Sequence, residues 1–326
     1  MNRRKALISL VALGAGPLAA QVKQVGKVWR VGVLRPAPDD AVFRENFAPF
    51  GPALRESGFT EGTNLAFEYR VRPATAEELL ALANDLVRAK VDAILAIATS
   101  GVTAAAKATT TIPIVAVDLE SDPIAQKLAA SLARPGGNVT GMFLDFPQLS
   151  GKWIELLQGA IPKLARAAVF WDPASGPYLI KGAEAAGVSM SVRIFQHEVR
   201  EPAEFERAFQ SAESQKTQAV LVLSSPAFSS ARKQIASLAL KYRQPAIMPF
   251  PNFADAGGLM GYGPHLTSMF RQAGGVMAKV LQGVRPADIP IERPTRFELA
   301  INMKTAKALG VKFSQSVLVR ADRVIE

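Results

Sequence analysis

Short apolar stretches alternate with amphipathic helical stretches from Val28 onward, and this alternation constrains the fold more than any other feature of the chain. A strand that is apolar on both faces must be covered on both, which calls for a parallel sheet with helices on either side. The spacing predicts strands at Val28–Leu34, Leu65–Val71, Asp92–Ile97 and Ile114–Val117. Helices are predicted at Phe43–Glu56, ended by Gly58, at Ala76–Arg88 and at Val102–Thr109. Another is expected from Asp122-Pro123 to about Leu132, stopped by Arg134-Pro135-Gly136-Gly137. A second series of similar length follows. Its strands are Asn138–Phe143, Ala167–Trp171, Ser189–Phe195, Ala219–Leu223 and Ala246–Met248. Its helices are Leu149–Gln158, Gly176–Ala186, Ala203–Ser211 and Ser229–Tyr242. Two such series predict two α/β lobes.

The last fifth of the chain ties the lobes together. A strand through Gly257-Gly258-Leu259-Met260-Gly261-Tyr262-Gly263 leads to Pro264, placed as a first-turn helical proline whose missing N–H costs nothing. Leu266, Met269, Phe270, Ala273, Val276, Met277, Val280 and Leu281 then recur at helical spacing, and Gly283 ends the helix. Pro286, Pro290 and Pro294 forbid regular structure and hold a stiff, extended connection. After it Phe297, Leu299 and Ile301 alternate as a strand does, Asn302 is placed to cap a helix, and Gly310 to end it. A helix joined to a strand by so stiff a segment describes a chain crossing between two lobes, with a cleft between them.

These residues also carry a resemblance. GGLMGYG, the block VLQGVRPADIPIERPTRFELAINMKTAKALG, and ARPGGNVTG at Ala133 to Gly141 are similar to the substrate-binding proteins of bacterial ABC importers. The branch is the one with tryptophan- and other aromatic-amino-acid-binding members, and the resemblance spans Val28 to Glu326. It implies a type I periplasmic-binding fold: α/β, two Rossmann-like lobes joined by a three-segment hinge. The first lobe is then residues 28–118 plus 252–284 and the second 138–249 plus 296–326, with crossings at 119–137, 249–251 and 285–295. It further implies a monomeric, non-catalytic receptor without a cofactor. Such a receptor closes on a small-molecule solute and hands it to an ABC permease and its ATPase subunit. An aromatic amino acid or a related carboxylate is the solute this branch suggests.

The amino terminus reads as separate from the lobes. Arg3-Arg4-Lys5 is a basic start, Ala6 to Leu18 is apolar but short for a membrane span, and Ala19-Ala20 offers small residues before Gln21. Residues 1–20 are therefore expected to be a signal peptide, with twin-arginine export hinted at by Arg3-Arg4 and an uncleaved anchor as the alternative. The expected location is periplasmic. The chain has no cysteine, so there is neither a disulfide framework nor a lipidated cysteine, and it is not expected to be a lipoprotein. The formal net charge is +10, or +7 once Arg3, Arg4 and Lys5 are removed. Its basic residues are scattered rather than massed among aromatics, so nucleic acid is not an expected partner.

In open α/β sheets ligands lie beyond the carboxyl ends of the strands. Read by that rule, Arg35 can grip an anionic group in bidentate fashion, or else pair with Asp39 or Asp40. Thr99-Ser100-Gly101 closes a buried strand and opens a helix, where hydroxyls and amides suit a carboxylate or simply cap the helix. Asp118, with Glu120 behind it in rank, can hold a ligand ammonium or hydroxyl, although Glu120-Ser121-Asp122-Pro123 also reads as a turn. Phe143, Trp171, Phe228, Phe250 and Tyr262 are aromatics near strand ends, for ring contact or for packing, while Phe43 and Phe47 read as core. Gly261 and Gly263 allow something to approach Tyr262 closely. Ser225, beside Ser224, reads as a hydrogen-bonding rim.

Catalytic patterns find little support. The two histidines, His197 and His265, are far apart in sequence, and neither a G-x-S-x-G elbow nor a phosphate-binding G-x-x-x-x-G-K-[ST] loop occurs. Rival readings are an exported enzyme using Asp118, Glu120 or Asp145 as acid and base, and a solute sensor feeding a signalling receptor. Repressors with a similar two-lobed core need an amino-terminal DNA-binding module, and here an export signal occupies that place.

Overall fold

The computed structural model describes residues 26–144 and 146–326. The expected signal peptide and the candidate Asp145 lie outside the described residues. The first half carries β1 (Trp29–Arg35), α1 (Ala41–Phe47), α2 (Phe50–Glu56), β2 (Leu65–Val71), α3 (Ala76–Arg88), β3 (Ala93–Ile97), α4 (Ala98–Ala108), β4 (Ile114–Asp118) and β5 (Val139–Phe143). Next come α5 (Phe146–Ala160), β6 (Arg166–Trp171), α6 (Tyr178–Ser189), β7 (Arg193–Glu198), α7 (Phe205–Ser214), β8 (Ala219–Val222), α8 (Pro226–Ser230), α9 (Arg232–Lys241) and β9 (Ala246–Met248). The chain finishes with α10 (Asn252–Asp255), β10 (Met260–Pro264), α11 (Leu266–Leu281), β11 (Phe297–Asn302), α12 (Met303–Leu309), α13 (Gln315–Val319) and β12 (Arg323–Ile325).

The caps follow from residue chemistry. Thr75 and Glu78 form a reciprocal capping box on α3. Asn302 accepts from Thr305 N–H at 3.0 Å to open α12, and Gly310 closes it at φ 71°. Three predicted helices end differently. Pro49 has no N–H to donate, and the helix predicted over Phe43–Glu56 is two, α1 and α2. The stretch after Asp122-Pro123 is a run of turns, because Lys127 adopts a left-handed φ of 57° that no helix tolerates. The helix predicted over Ser229–Tyr242 breaks at Ala231 into α8 and α9.

Two sheets form, one per lobe. The first is parallel in the order β2-β1-β3-β4-β5, and the second runs β12-β11-β10-β9-β8-β6-β7, parallel apart from the antiparallel β10–β11 pair. Strands β3, β4, β5, β8 and β9 are buried at every position, as a sheet covered on both faces requires.

The lobe boundaries expected from the sequence are corrected by this pairing. Val139–Phe143, expected to open the second lobe, pairs with β4 in the first sheet. Gly141 makes that possible: at φ 128° it presses so close that a Cβ would stand 2.2 Å from the Ala116 carbonyl oxygen. Met260–Pro264, expected in the first lobe, lies between β9 and β11 in the second sheet. The chain therefore passes between sheets after β5, at Pro264–Leu266, and again before β11. Segments 119–137 and 249–251 are not crossings, since β4 and β5 share one sheet and β9 and β10 the other. Helix α11 does return to the first lobe. Its Gly274 sits against Ala53 and the Phe50 carbonyl of α2, and its Arg271 pairs with Glu56 at 2.7 Å.

Candidate ligand-binding cleft

The carboxyl ends of β1, β3 and β4 face those of β8 and β9 across one cavity of about 520 Å³, counting the solvent at its mouth. The first lobe supplies Arg35 past β1, Ile97 and Ala98 past β3, and Val117, Leu119 and Glu120 past β4. Helix α1 adds Val42, Phe43 and Asn46, and α11 adds Leu266 and Phe270. From the second lobe come Ser224, Ser225, Pro226 and Ser229 around the start of α8, with Phe250 after β9. The walls are mainly apolar and aromatic, with few polar groups, as small-molecule sites usually are.

Arg35 is 4 % exposed, lies 4.6 Å over the Phe43 ring, and donates to the Pro38 carbonyl. The carboxylates beside it are already committed: Asp39 binds Arg44 at 3.0 Å, and Asp40 caps α1 by accepting from Phe43 N–H at 2.8 Å. Burial lowers the Arg35 pKa to about 10, with Asp40 and Asp39 opposing the shift. At neutral pH Arg35 is thus a desolvated cation in an apolar wall, and a carboxylate is its natural counterpart.

At the end of β4 stands a carboxyl pair. Asp118 is fully buried and accepts from Thr99 Oγ1 at 2.8 Å, Ser121 Oγ at 2.6 Å, Glu120 N–H at 3.0 Å and Ser121 N–H at 3.2 Å. Burial raises its pKa, and these donors pull it back. Glu120 accepts from Ser224 Oγ at 2.6 Å, a bond that spans the two lobes, and from Leu119 N–H at 3.3 Å. Burial first and the charge of Asp118 second push Glu120 up to about 8.

A testable consequence concerns stability. Glu120 titrates near 8 when folded and near 4.5 when exposed, so between those values the folded chain binds more protons than the unfolded one. Stability contributed by the protonated carboxyl is full below 4.5 and declines as pH rises through 8. Asp118 adds a trend of the same sign. The thermal midpoint, followed by calorimetry, is expected to fall from about pH 5 to pH 8, and Glu120→Gln should flatten much of that slope. A midpoint that rises over this range in the parent protein would contradict it.

Ala98 completes the site with a strained backbone. It opens α4 at a left-handed φ of 64°, a conformation costly for a residue with a Cβ.

A model of the family described as ABC transporter substrate binding protein matches residues 30–325. The chain belongs to that family. A tyrosine-binding protein of Clostridioides difficile (strain R20291) is 25 % identical over 265 residues, covering 81 % of this chain and 76 % of the relative. Among solved structures, a Streptococcus pneumoniae ABC domain in complex with L-Trp matches with a TM-score of 0.81 at 21 % identity, over 92 % of this chain and all of that one. A conserved domain protein from Vibrio cholerae matches at 0.83 and 23 % identity, over 91 % of this chain and 100 % of that chain. A ligand-free, open substrate binding protein of Clostridium difficile matches at 0.63 and 21 % identity, over 91 % of this chain and 99 % of that one. The ABC transporter substrate binding protein thus has the two-lobed type I periplasmic-binding fold that its sequence implied.

Of the candidates named from sequence, Arg35, Ser225 and Phe250 line the cavity of this substrate-binding protein, and Glu120 lines it as well. Asp118 stands behind Glu120, fully buried, with three donors on Oδ1 and Ser121 Oγ on Oδ2. Thr99, expected at an anion site, gives its hydroxyl to a carboxylate of the chain itself. Together with Ser100 it lines a different depression, between α4 and the turn Pro173–Ser175, alongside Lys107 and Gln126. Phe143 is 2 % exposed in the first-lobe core and borders a small hollow near Arg293. Trp171 is half-buried at the end of β6, and Phe228 is 1 % exposed in the second-lobe core.

Tyr262 needs the largest correction. It lies on the second sheet opposite Leu299, its ring stacks on Phe297 at 6.1 Å, and its carbonyl accepts from Trp153 Nε1 at 2.8 Å. The flanking glycines do allow a close approach, and what approaches is the chain's own Pro249–Pro251 segment. Phe43 and Phe270 went unseen as wall residues because helical spacing marks a buried face without telling core from cavity. The legible signal was Asp40, whose cap lays α1 over the end of β1.

Proposed function

We propose that this substrate-binding protein is the extracytoplasmic receptor of an ABC importer. It closes on a small carboxylate with a planar apolar body, an aromatic amino acid or a related aryl acid, and presents the closed form to a membrane permease and its ATPase subunit. The observation that carries this reading is the desolvated Arg35 guanidinium in a mainly apolar wall, set against Phe43 in a cavity shared with Phe250 and Phe270. The carboxylate replaces the hydration Arg35 has lost, and the rings cover a flat body.

Closure follows from where the groups sit. Arg35, Phe43 and Glu120 belong to one lobe, Ser225 and Phe250 to the other, so a solute touching both favours the closed arrangement over the open one. Ser224 and Glu120 already meet across that gap at 2.6 Å. The tyrosine-binding relative and the L-Trp complex support the choice of an aromatic solute. The apolar stretch Ala6–Leu18 behind Arg3-Arg4-Lys5 supports export to the periplasm as a free protein. The rival acid–base reading is weakened by the full burial of Asp118, which is 0 % exposed and does not reach the cavity lining.

The test is a ligand panel. Purified protein is expected to rise in thermal midpoint with at least one of L-tryptophan, L-tyrosine, L-phenylalanine, 3-phenylpropionate or indole-3-acetate, and not with the carboxamides of the same acids, which lack the carboxylate. A panel with no shift, or equal shifts for acid and amide, sinks the proposal.

A further inference from the structure

Among the described residues lining the cavity two are ionisable, Arg35 and Glu120, and each is engaged elsewhere: Arg35 with the Pro38 carbonyl, Glu120 with Ser224. The second carboxyl of the region, Asp118, is fully buried behind Glu120 and accepts four hydrogen bonds. A buried pair of acids this close holds its negative charge where donors are densest. That place is Asp118, which leaves the shared proton on Glu120 at the cavity surface.

We infer that Glu120 sets the charge class of the solute: carrying its proton it leaves Arg35 the one charge in the lining and selects a bare aryl carboxylate, and ionised it selects the zwitterion. The inference rests on the reading of the cavity as an aromatic-carboxylate site. A carboxylate held by Arg35 meets no opposing charge while Glu120 is neutral. An α-ammonium instead needs the Glu120 carboxylate, because Asp118 is fully buried and does not line the cavity.

The groups around Glu120 and along the cavity agree with this assignment. Arg35 shares the lining from the end of β1, and the segment of Glu120 itself brings Asp118 and Ser121. From the second lobe come the hydroxyls of Ser224 and Ser225, the latter donating to Asp172 at 2.6 Å. Helices α1 and α11 contribute no titratable side chain to the lining. Burial pushes Glu120 up to about 8, so its proton comes off within an accessible pH range. Anion binding then takes place with the proton retained, and zwitterion binding expels it.

Isothermal titration of the whole protein with 3-phenylpropionate and with L-phenylalanine tests this. The Kd of 3-phenylpropionate is expected to rise about tenfold between about pH 6.5 and pH 9, the change linked to loss of one proton near pH 8. The Kd of L-phenylalanine is expected to fall between about pH 6.5 and pH 8.5. Glu120→Gln should abolish both trends and favour 3-phenylpropionate throughout. Ser224→Ala removes the hydroxyl that stabilises the ionised carboxyl, so it should keep the trends and move their midpoint upward. Binding with a flat profile, or an unchanged slope in Glu120→Gln, overturns this inference alone. Silence of both ligands overturns this inference, and silence of the whole ligand panel overturns the aromatic-carboxylate reading with it.

Discussion

Replacing Gly263 by Ala is expected to cost about 3 kcal/mol or more, a large share of a typical folding stability. A Cβ on Gly263 would lie 1.7 Å from the Pro249 carbonyl oxygen and 2.8 Å from the Pro249 carbonyl carbon. The obstacle is backbone, so no side chain can rotate away. Gly263 pairs with Glu298 in β10, in the middle of a seven-stranded sheet, and cannot retreat without breaking that ladder. Gly275 of α11 is the control. Nothing lies within 4 Å of its added Cβ, so Gly275→Ala should stabilise by up to about 1 kcal/mol through helix propensity. Urea midpoints of the two variants are expected to move in opposite directions. If Gly263→Ala keeps the parent midpoint, strand β10 does not press on the Pro249–Pro251 segment as described.

That close approach also shows what a sequence can convey. The spacing Gly-Tyr-Gly marks a place where something can come close, because only a residue without a Cβ permits it. It does not say what comes close, since the partner is set by non-local pairing. The same limit explains β5 and β10. An apolar strand flanked by helices reads alike wherever it sits in a parallel interior, so Val139–Phe143 and Met260–Pro264 were legible as strands but not as members of a given sheet. Caps were legible where side chains act on their own neighbours, as at Asn302 and Gly310. The break at Lys127 was not, because nothing in its side chain calls for a left-handed backbone.

The cleft divides along similar lines. The strand-end rule brought Arg35, Ser225 and Phe250 into view, because position at a carboxyl end is a property of the local pattern. It failed for Thr99 because a strand end does not say what else is near, and here Asp118 of the neighbouring strand had the prior claim on the hydroxyl. By the strand-end rule Asp118, at the end of β4, comes before Glu120. The structure reverses the order, since only the lining residue of the two can meet a solute.

The largest effect on binding is expected from Arg35→Met. A charge-assisted, bidentate contact in an apolar wall is worth about 1.5–3 kcal/mol, so affinity for an aryl carboxylate should drop roughly ten- to hundredfold by calorimetry. Stability should hardly change, and this second half separates a binding role from a structural one. Burial depresses the Arg35 pKa to about 10, which means that the cation is held at a cost that a thioether of similar length escapes. Methionine also keeps an apolar stem over Phe43, where the guanidinium now lies 4.6 Å from the ring centroid. Arg35→Lys should fall between, retaining the charge but not the planar fork that matches a carboxylate. Full affinity in Arg35→Met with the fold intact would move the solute's carboxylate away from β1. The next place to look would then be the amides that open α4 at the strained Ala98, which borders the same cavity.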